Sequence, residues 1–187
     1  MPGITLAGTY GIEVKRRDAT IVRRVDPQRI RPQILKIKSA WRKLIAPHSG
    51  FLLEDKGLAV ALHARFAKPQ ERAVVIPSAQ VIARQVICPT DFRILADVDF
   101  LEVAPALANK GKTVAWLLSR AKLRNEMLLY FGDDDKDEEA LQLIRRKGGY
   151  GIQVGNRYRL KHANLRLGSP NDVRQWLELF VHSVQST

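Results

Sequence analysis

The sequence predicts an α/β protein built from two parts in which strands and helices follow different orders. In residues 20–97 the hydrophobic pattern reads strand, helix, strand, strand, helix, strand. Two such strand–helix–strand units form a four-stranded antiparallel sheet with helices on one face. After Pro105 single strands alternate with single helices, which is typical of a parallel sheet covered on both faces.

The elements of the first part follow from hydrophobic spacing and turn residues. Segments 12–16 and 20–25 alternate apolar and polar residues on either side of a short turn, which predicts a hairpin. Helical periodicity predicts a helix over 28–45, with Pro32 in an early turn where proline is tolerated. A second helix is expected over 71–86. The other extended segments are predicted at 4–7, 51–53, 58–66, 92–96 and 100–103.

The second part begins with a helix expected over 110–123, followed by an apolar strand over 127–131. A helix predicted over 136–147 ends at Gly148-Gly149, since glycine commonly terminates helices. A strand is expected at 150–154, and an amphipathic helix over 172–184 completes the part.

The composition is that of a globular protein, with 45% hydrophobic and 27% charged residues. The single cysteine, Cys88, excludes an internal disulfide and suits a reducing compartment. The sequence does not begin like a signal peptide, and no apolar stretch reaches the roughly 18 residues that a membrane span needs. We therefore expect a cytoplasmic protein that does not associate with membranes.

The net charge of +12 lies mostly in residues 1–50. This excess fits a solvated helix face, attraction of an anionic substrate, or nucleic-acid binding. The basic helix predicted over 28–45 lacks interleaved aromatic residues and any known nucleic-acid motif, so nucleic acid is the least favoured of these partners.

Directly after the strand predicted at 127–131 comes an acidic run, GDDDKDE, at residues 132–138. Ligands of open α/β sheets bind at the carboxyl ends of the strands, and clustered carboxylates suit a hard cation such as Mg²⁺. Acids are also favoured at a helix N-terminus by the helix dipole, but the five acids here exceed what capping needs. The run therefore predicts a metal site.

Lys110 lies between Asn109 and Gly111 at the predicted start of a helix. The N-terminal end of a helix repels cations, so a lysine gains nothing from the dipole there. The position suggests another use, such as holding a phosphate, with a solvated lysine as the alternative.

A polar group surrounds the strand predicted over 58–66. Glu54 and Lys56 precede it, while His63 and Arg65 would share one of its faces because side chains alternate along a strand. Carboxylate, ammonium and guanidinium groups together suit a sugar that carries a phosphate. Simple solvent exposure is the alternative.

In order along the chain, these segments resemble the trehalose-6-phosphate phosphatase family of the haloacid dehalogenase superfamily. EDKGLAVALHAR (54–65) resembles the family's Glu-x-Lys-Gly followed by His-x-Arg, NKGKTVAWLL (109–118) its third motif, and FGDDDKDEEAL (131–141) its fourth. HANLRLGSPNDVRQWLELF (162–180) resembles the family's ending. LAGTYGIEV (6–14) resembles the segment before the cap, although Tyr10 stands where the family usually has histidine.

The resemblance implies a Rossmann-like haloacid dehalogenase core, here lacking its first strands, with an α/β cap domain. Residues 1–19 would form a core segment and the link to the cap, residues 20–97 the cap, and residues 98–187 the C-terminal part of the core.

The resemblance also implies roles for individual residues. The residues assigned to catalysis are Lys110, Asp133 and Asp137, and those assigned to Mg²⁺ are Asp133 and Asp134. Trehalose 6-phosphate or a similar sugar phosphate would be bound by Glu54, Lys56, His63, Arg65 and Asn109. The family hydrolyses this phosphoric monoester through an aspartyl-phosphate.

The chain departs from the family in one respect that bears on activity. It contains no Asp-x-Asp-Gly strand, which in the family carries the nucleophile and the acid/base, and Asp97-Val98-Asp99 is followed by Phe100 instead of glycine. We expect the chain alone to be inactive and the strand at 127–131 to have one unpaired edge. The chain would then be part of a longer protein, pair with a segment that supplies the missing strands, or be a degenerate relative. A non-catalytic sugar-phosphate-binding module is the alternative function.

Overall fold

The structure is a computed structural model that describes residues 3–121, 127–157 and 159–185. The chain divides into two compact units, Met1–Ala108 and Asn109–Thr187. The boundary predicted at 97/98 falls inside a hairpin of the first unit, whereas the division between the units follows Ala108. Among the described helices, none combines the length and the apolar character that crossing a membrane would require.

The first unit begins with a small antiparallel sheet that contains the predicted hairpin. Strand β2 (Glu13–Lys15) pairs with β3 (Ile21–Arg23) and also with β1 (Leu6–Gly8). The remaining elements are α1 (Pro27–Ile45), β4 (Leu52–Asp55), β5 (Val60–His63), α2 (Pro69–Val86), β6 (Phe92–Asp97) and β7 (Phe100–Pro105).

A four-stranded antiparallel sheet forms the centre of the first unit, with the strand order β4-β5-β7-β6. The predicted number and direction of strands are confirmed, but β7 takes the place that the sequence pattern assigned to segment 20–25. The reason is that β3 pairs with its neighbour in the chain, β2, across a short turn. Strands that follow one another directly commonly pair in this way.

Helices α1 and α2 pack against one face of this sheet and bury its apolar side chains. The carboxylate of Asp26 caps α1 by accepting from the backbone N–H of Gln28 at 2.9 Å. The indole N–H of the buried Trp41 donates to the carbonyl of Ala79 in α2 at 2.8 Å, which ties the two helices together. The core also includes Ile34, Ile37, Val60, Leu62, Val75, Leu101 and Val103.

The second unit contains α3 (Lys110–Leu118), β8 (Leu129–Gly132), α4 (Glu138–Arg146), β9 (Tyr150–Val154), β10 (Leu165–Leu167) and α5 (Pro170–Gln185). Its parallel sheet has the order β10-β9-β8, so among the described strands β8 has a neighbour on one side, as expected. Residues 122–123 of the helix predicted over 110–123 lie outside the described residues. Strand β10 was not predicted, because a three-residue, largely exposed strand leaves little hydrophobic periodicity.

Helices α3 and α4 approach closely at Gly111. A Cβ atom on Gly111 would lie 2.7 Å from the Cβ of Glu139 and 3.0 Å from its carbonyl carbon. Glycine therefore allows α3 to begin directly against α4, which places the first residue of α3 beside the acidic run at the start of α4.

An ion-pair network joins α1 to β4 in the first unit. The carboxylate of Asp55 accepts from both terminal nitrogens of Arg31, at 2.7 and 3.0 Å, and from Lys38 Nζ at 2.7 Å. These hydrogen bonds, from Arg31 first and Lys38 second, hold the pKa of Asp55 well below its usual value. The carboxylate thus stays charged in the folded protein at pH values where an unfolded chain would begin to protonate it.

Replacing Asp55 by asparagine should lower the free energy of unfolding at pH 7 by about 1–2 kcal/mol, because charge-assisted hydrogen bonds are lost. The folded pKa lies below the unfolded value of about 3.9. The stabilisation by the charged Asp55 is therefore complete above the unfolded pKa and disappears as the pH falls through the folded pKa. Denaturant unfolding followed by tryptophan fluorescence should show the difference from wild type shrinking below about pH 4. Asp99→Asn, whose carboxylate has no hydrogen-bond partner among the described residues, is the control; an equal loss in both variants would contradict the assignment.

Replacing Gly111 by alanine should destabilise the second unit by about 1–3 kcal/mol, because the added methyl group overpacks the α3–α4 contact. A loss of stability would be diagnostic, because replacing glycine by alanine inside a helix ordinarily stabilises the protein by roughly 0.5–1 kcal/mol. Thermal unfolding would measure the change. Gly8→Ala is the matched control, because Gly8 has a φ of −90° and its Cβ would meet nothing closer than 3.9 Å. An unchanged or raised melting temperature for G111A would refute the packing argument.

Candidate functional site

The acidic run follows β8 and leads into α4 through one turn of 3-10 helix, Asp135–Asp137. Asp134 caps this turn by accepting from the backbone N–H of Lys136 at 3.1 Å, and Asp137 accepts from the backbone N–H of Asp134 at 3.3 Å. This reciprocal capping box accounts for two of the carboxylates structurally. The run is thus both a helix start and a fixed group of acids at the carboxyl end of a parallel strand.

Asp137 is the best-buried acid of the run, with 2% of its surface exposed. Its Oδ1 accepts from Lys110 Nζ and from the Tyr130 hydroxyl, both at 2.7 Å. Its Oδ2 accepts from the backbone N–H groups of Asp133 and Asp134 at 3.1 and 3.3 Å. Burial alone would raise the pKa of Asp137, but the hydrogen bonds from Lys110 and Tyr130 lower it. Asp137 therefore favours its charged form, and its four hydrogen bonds hold the neighbouring groups in place.

Lys110 is the first residue of α3, and its ammonium lies 2.7 Å from Asp137 Oδ1 and 3.4 Å from Asp134 Oδ1. Burial alone would lower the pKa of Lys110, but the hydrogen bond and charge of Asp137, with those of Asp134, raise it. The lysine is thus kept charged beside the acidic run. Asn109 caps α3 by accepting from the backbone N–H of Lys112 at 2.8 Å, which gives it a structural role at the same point.

Three acids of the run could together hold a cation. Ligand oxygens of Asp133, Asp134 and Asp137 all lie within 4.8 Å of one another. Asp137 already accepts four hydrogen bonds, whereas the carboxylate of the exposed Asp133 has no hydrogen-bond partner among the described residues. Burial, followed by the neighbouring Asp137, raises the pKa of the half-buried Asp134, which a cation would reverse. The donor set fits a hard cation that prefers oxygen, with Asp133 as the most available ligand.

In the first unit, the face of the four-stranded sheet opposite the helices carries a set of polar side chains that we call the polar patch: Glu54, Lys56, His63, Arg93 and Glu102. His63 Nε2 lies 2.9 Å from Glu54 Oε2, and Lys56 Nζ lies 3.5 Å from the same oxygen. The hydrogen bond with His63, aided by the charge of Lys56, lowers the pKa of Glu54. The structure thus brings three of the predicted substrate-binding residues into direct contact.

Glu102 lies at the centre of the polar patch and was missed by the sequence reasoning. Its carboxylate is 1% exposed and accepts from Lys56 Nζ at 2.8 Å and from an Arg93 terminal nitrogen at 3.2 Å. The guanidinium of Arg93 also lies 5.2 Å from the ring centroid of Tyr10. The available signal was an acid between Leu101 and Val103, inside an apolar strand, where a buried charge demands a partner.

Arg65 does not share a strand face with His63, because β5 ends at His63 and Arg65 lies in the turn that follows. Its side chain is exposed, and no described residue forms a hydrogen bond or ion pair with it. The structure therefore places Arg65 next to the polar patch in sequence without a contact that joins it to the others. Instead, the ring of Phe100 lies beside His63, with a centroid distance of 5.2 Å.

Comparison with known proteins gives a consistent result. The family model described as Trehalose-phosphatase matches residues 1–166. Among curated relatives, the trehalose-6-phosphate phosphatase of Escherichia coli (strain K12) is 31% identical over 142 residues, which cover 76% of this chain and 51% of that protein. The trehalose-phosphate phosphatase of Mycobacterium tuberculosis (strain ATCC 25618 / H37Rv) is 27% identical over 187 residues, 95% of this chain and 46% of that protein. The chain spans about half the length of the curated relatives it matches.

Solved structures show the same fold at low sequence identity. An Aspergillus fumigatus trehalose-6-phosphate phosphatase matches 97% of this chain and 71% of its own, with a TM-score of 0.69 and 21% identity. A trehalose-6-phosphate phosphatase related protein matches 95% of this chain and 72% of its own, with a TM-score of 0.76 and 20% identity. The predicted α/β fold is thereby confirmed. With the motif order and a family model that covers most of its length, the chain belongs to the trehalose-phosphatase family.

Proposed function

We propose that this chain provides the substrate-binding and metal-binding parts of a sugar-phosphate phosphatase that acts on trehalose 6-phosphate. The observation that carries the proposal is the hydrogen-bond network of Asp137, which holds a charged Lys110 beside the available carboxylate of Asp133. Membership of the trehalose-phosphatase family supports the choice of reaction and substrate. We keep the assignment of residues 1–19, 20–97 and 98–187 to core link, cap and core, and a cytoplasmic location, as parts of this proposal.

Lys110 is suited to bind the phosphate of the substrate. A lysine ammonium has three protons to donate, and Asp137 and Asp134 accept two of them. The third proton remains for a phosphate oxygen. Because its carboxylate neighbours keep the lysine charged, its attraction for a phosphate is present throughout the neutral pH range.

The acidic run is suited to hold Mg²⁺ through Asp133 and Asp134, while Asp137 positions the loop. Such an ion, when bound, would neutralise part of the negative charge of a phosphate. The residues of the chain supply oxygen ligands of the type that this cation prefers. The role of Asp137 is then to fix the backbone of Asp133 and Asp134 and the ammonium of Lys110, which it does through hydrogen bonds.

The polar patch is suited to bind the sugar. Glu54 and His63 offer acceptors and donors for hydroxyl groups, and the ammonium of Lys56 is held beside them by the buried Glu102. Phe100 beside His63 adds an apolar surface against which a sugar ring can pack. The exposed Arg65 and the helix cap Asn109 complete the set that we assign to substrate binding, as donors to hydroxyl or phosphate oxygens.

The phosphoryl acceptor is the part of the mechanism that these 187 residues do not provide. Asp97 and Asp99 lie at the turn between β6 and β7, and Val98 and Phe100 follow them in place of the family's motif. We propose that an Asp-x-Asp-Gly segment from outside these residues supplies the nucleophile and the acid/base. Without it, the chain would bind a sugar phosphate and not hydrolyse it, which is the second candidate function.

Replacing Asp133 by asparagine should weaken divalent-cation binding by at least roughly tenfold, because even residues that only support a ligand typically contribute 10–100-fold to metal affinity. The readout is Mn²⁺ binding by electron paramagnetic resonance, with Mg²⁺ as the competitor. The control is Asp135→Asn. It removes the same charge two residues further along the chain, from an acid that is not one of the three candidate ligands, and it should change the affinity for the cation far less. Equal losses of cation affinity in the two variants would contradict the metal site and leave the acidic run with a helix-capping role only.

The chain should bind trehalose 6-phosphate in calorimetry, and Arg65→Ala should weaken this binding roughly tenfold, as expected for a lost charge-assisted contact. Arg84→Ala, an exposed arginine of α2, is the matched control.

Phosphate release from trehalose 6-phosphate should appear when the segment carrying Asp-x-Asp-Gly is supplied upstream of residue 1. Binding without release in that restored protein would favour the non-catalytic module, and the absence of both would refute the proposed substrate.

A further inference from the structure

We propose that Tyr130 is a positioning residue, whose hydroxyl group fixes Asp137 so that the ammonium of Lys110 points in one direction, toward the place of a phosphate. Tyr130 lies on β8, and its hydroxyl donates to Asp137 Oδ1 at 2.7 Å. Lys110 Nζ donates to the same oxygen, also at 2.7 Å. Phosphate binding by Lys110 belongs to the proposed function, on which this role of Tyr130 therefore rests.

Four donors fill the acceptor sites of the Asp137 carboxylate. An ionised carboxylate offers about four lone-pair sites, two on each oxygen. The backbone N–H groups of Asp133 and Asp134 donate to Oδ2 at 3.1 and 3.3 Å. On Oδ1, Tyr130 takes one of the two sites and confines Lys110 to the other. The ammonium therefore has one direction beside the acidic run instead of two.

The sequence of β8 explains why a tyrosine reaches this carboxylate. Side chains two residues apart lie on the same face of a strand, so Tyr130 and Gly132 share a face of β8. A Cβ atom on Gly132 would lie 2.6 Å from the Cβ of Asp137 and 2.7 Å from its Cγ. Because glycine leaves this space, Asp137 packs directly on the backbone of β8. The strand itself thus brings the carboxylate and the tyrosine together.

The hydroxyl of Tyr130 stays protonated beside this anion. Burial, followed by the hydrogen bond to Asp137 and the charge of Asp137, raises the pKa of Tyr130 far above its usual value. Tyr130 therefore gives the carboxylate a hydrogen bond without giving it a second cation. The charge of Asp137 remains available to hold Lys110.

Stabilisation of a buried carboxylate is the competing explanation, because Asp137 is 2% exposed and any donor would lower the cost of its burial. In that case, loss of the hydroxyl would loosen the whole acidic run, including the backbone of Asp133 and Asp134. If Tyr130 positions Lys110 instead, the change is confined to Oδ1, and the affinity of the run for a cation stays. The two roles therefore differ in what changes besides stability.

The first test needs no ligand and follows the side-chain nitrogen of Lys110 in the whole chain by nuclear magnetic resonance relaxation. In Tyr130→Phe its order parameter should fall by roughly a quarter or more, which is the step between rigid and flexible groups. Tyr150→Phe is the matched control, because it removes the same oxygen from a tyrosine of β9 that is 45% exposed. It should leave the order parameter of Lys110 unchanged.

The second test is a double-mutant cycle on the affinity for trehalose 6-phosphate, measured by calorimetry with Mg²⁺ present. Tyr130→Phe alone should weaken binding roughly threefold to tenfold, as expected for one lost hydrogen bond. In the Lys110→Met background the same change should cost less than about twofold, because Tyr130 acts through Lys110. The affinity of Tyr130→Phe for Mn²⁺ should also stay within about twofold of wild type, the scatter expected for independent sites.

Three results would overturn the proposal: an unchanged order parameter of Lys110 in Tyr130→Phe, equal effects of this change with and without Lys110→Met, or a loss of Mn²⁺ affinity as large as the loss of sugar-phosphate affinity. The last would favour the purely structural role. A wild-type chain that binds no trehalose 6-phosphate would refute the proposed function, while the order parameter of Lys110 would still decide whether Tyr130 positions it.

Discussion

A carboxylate removed from water must be compensated by cations and hydrogen-bond donors, and one such carboxylate organises the candidate site residues of each unit. Glu102 in the first unit and Asp137 in the second are almost fully buried, at 1% and 2% exposed. Removing a partner from such a group leaves an uncompensated charge, which costs far more than an exposed ion pair is worth. Lys56 and Lys110 are therefore fixed in direction by the anions that they compensate.

The two buried carboxylates also hold each lysine in a position from which it can donate a hydrogen bond to a ligand. Lys56 is shared between Glu102 and Glu54, and Lys110 between Asp137 and Asp134, so each ammonium has two protein acceptors and one proton left to offer. Burial lowers a lysine's pKa, but in both cases the carboxylates outweigh it and raise the pKa. Fixed charges of this kind bind an anion without reorganising at the moment of binding, which is the property that makes them effective in catalysis.

Features of the fold and of the candidate site could be predicted from the sequence where they depend on residues close together in the chain. Helix α1 and the acidic run were predictable because periodicity and clustered acids are local patterns. The exchange of β7 for segment 20–25 was not, since strand pairing is decided by partners distant in sequence. The role of Glu102 required knowing that its strand is buried on both sides, and the end of β5 before Arg65 required knowing where pairing stops.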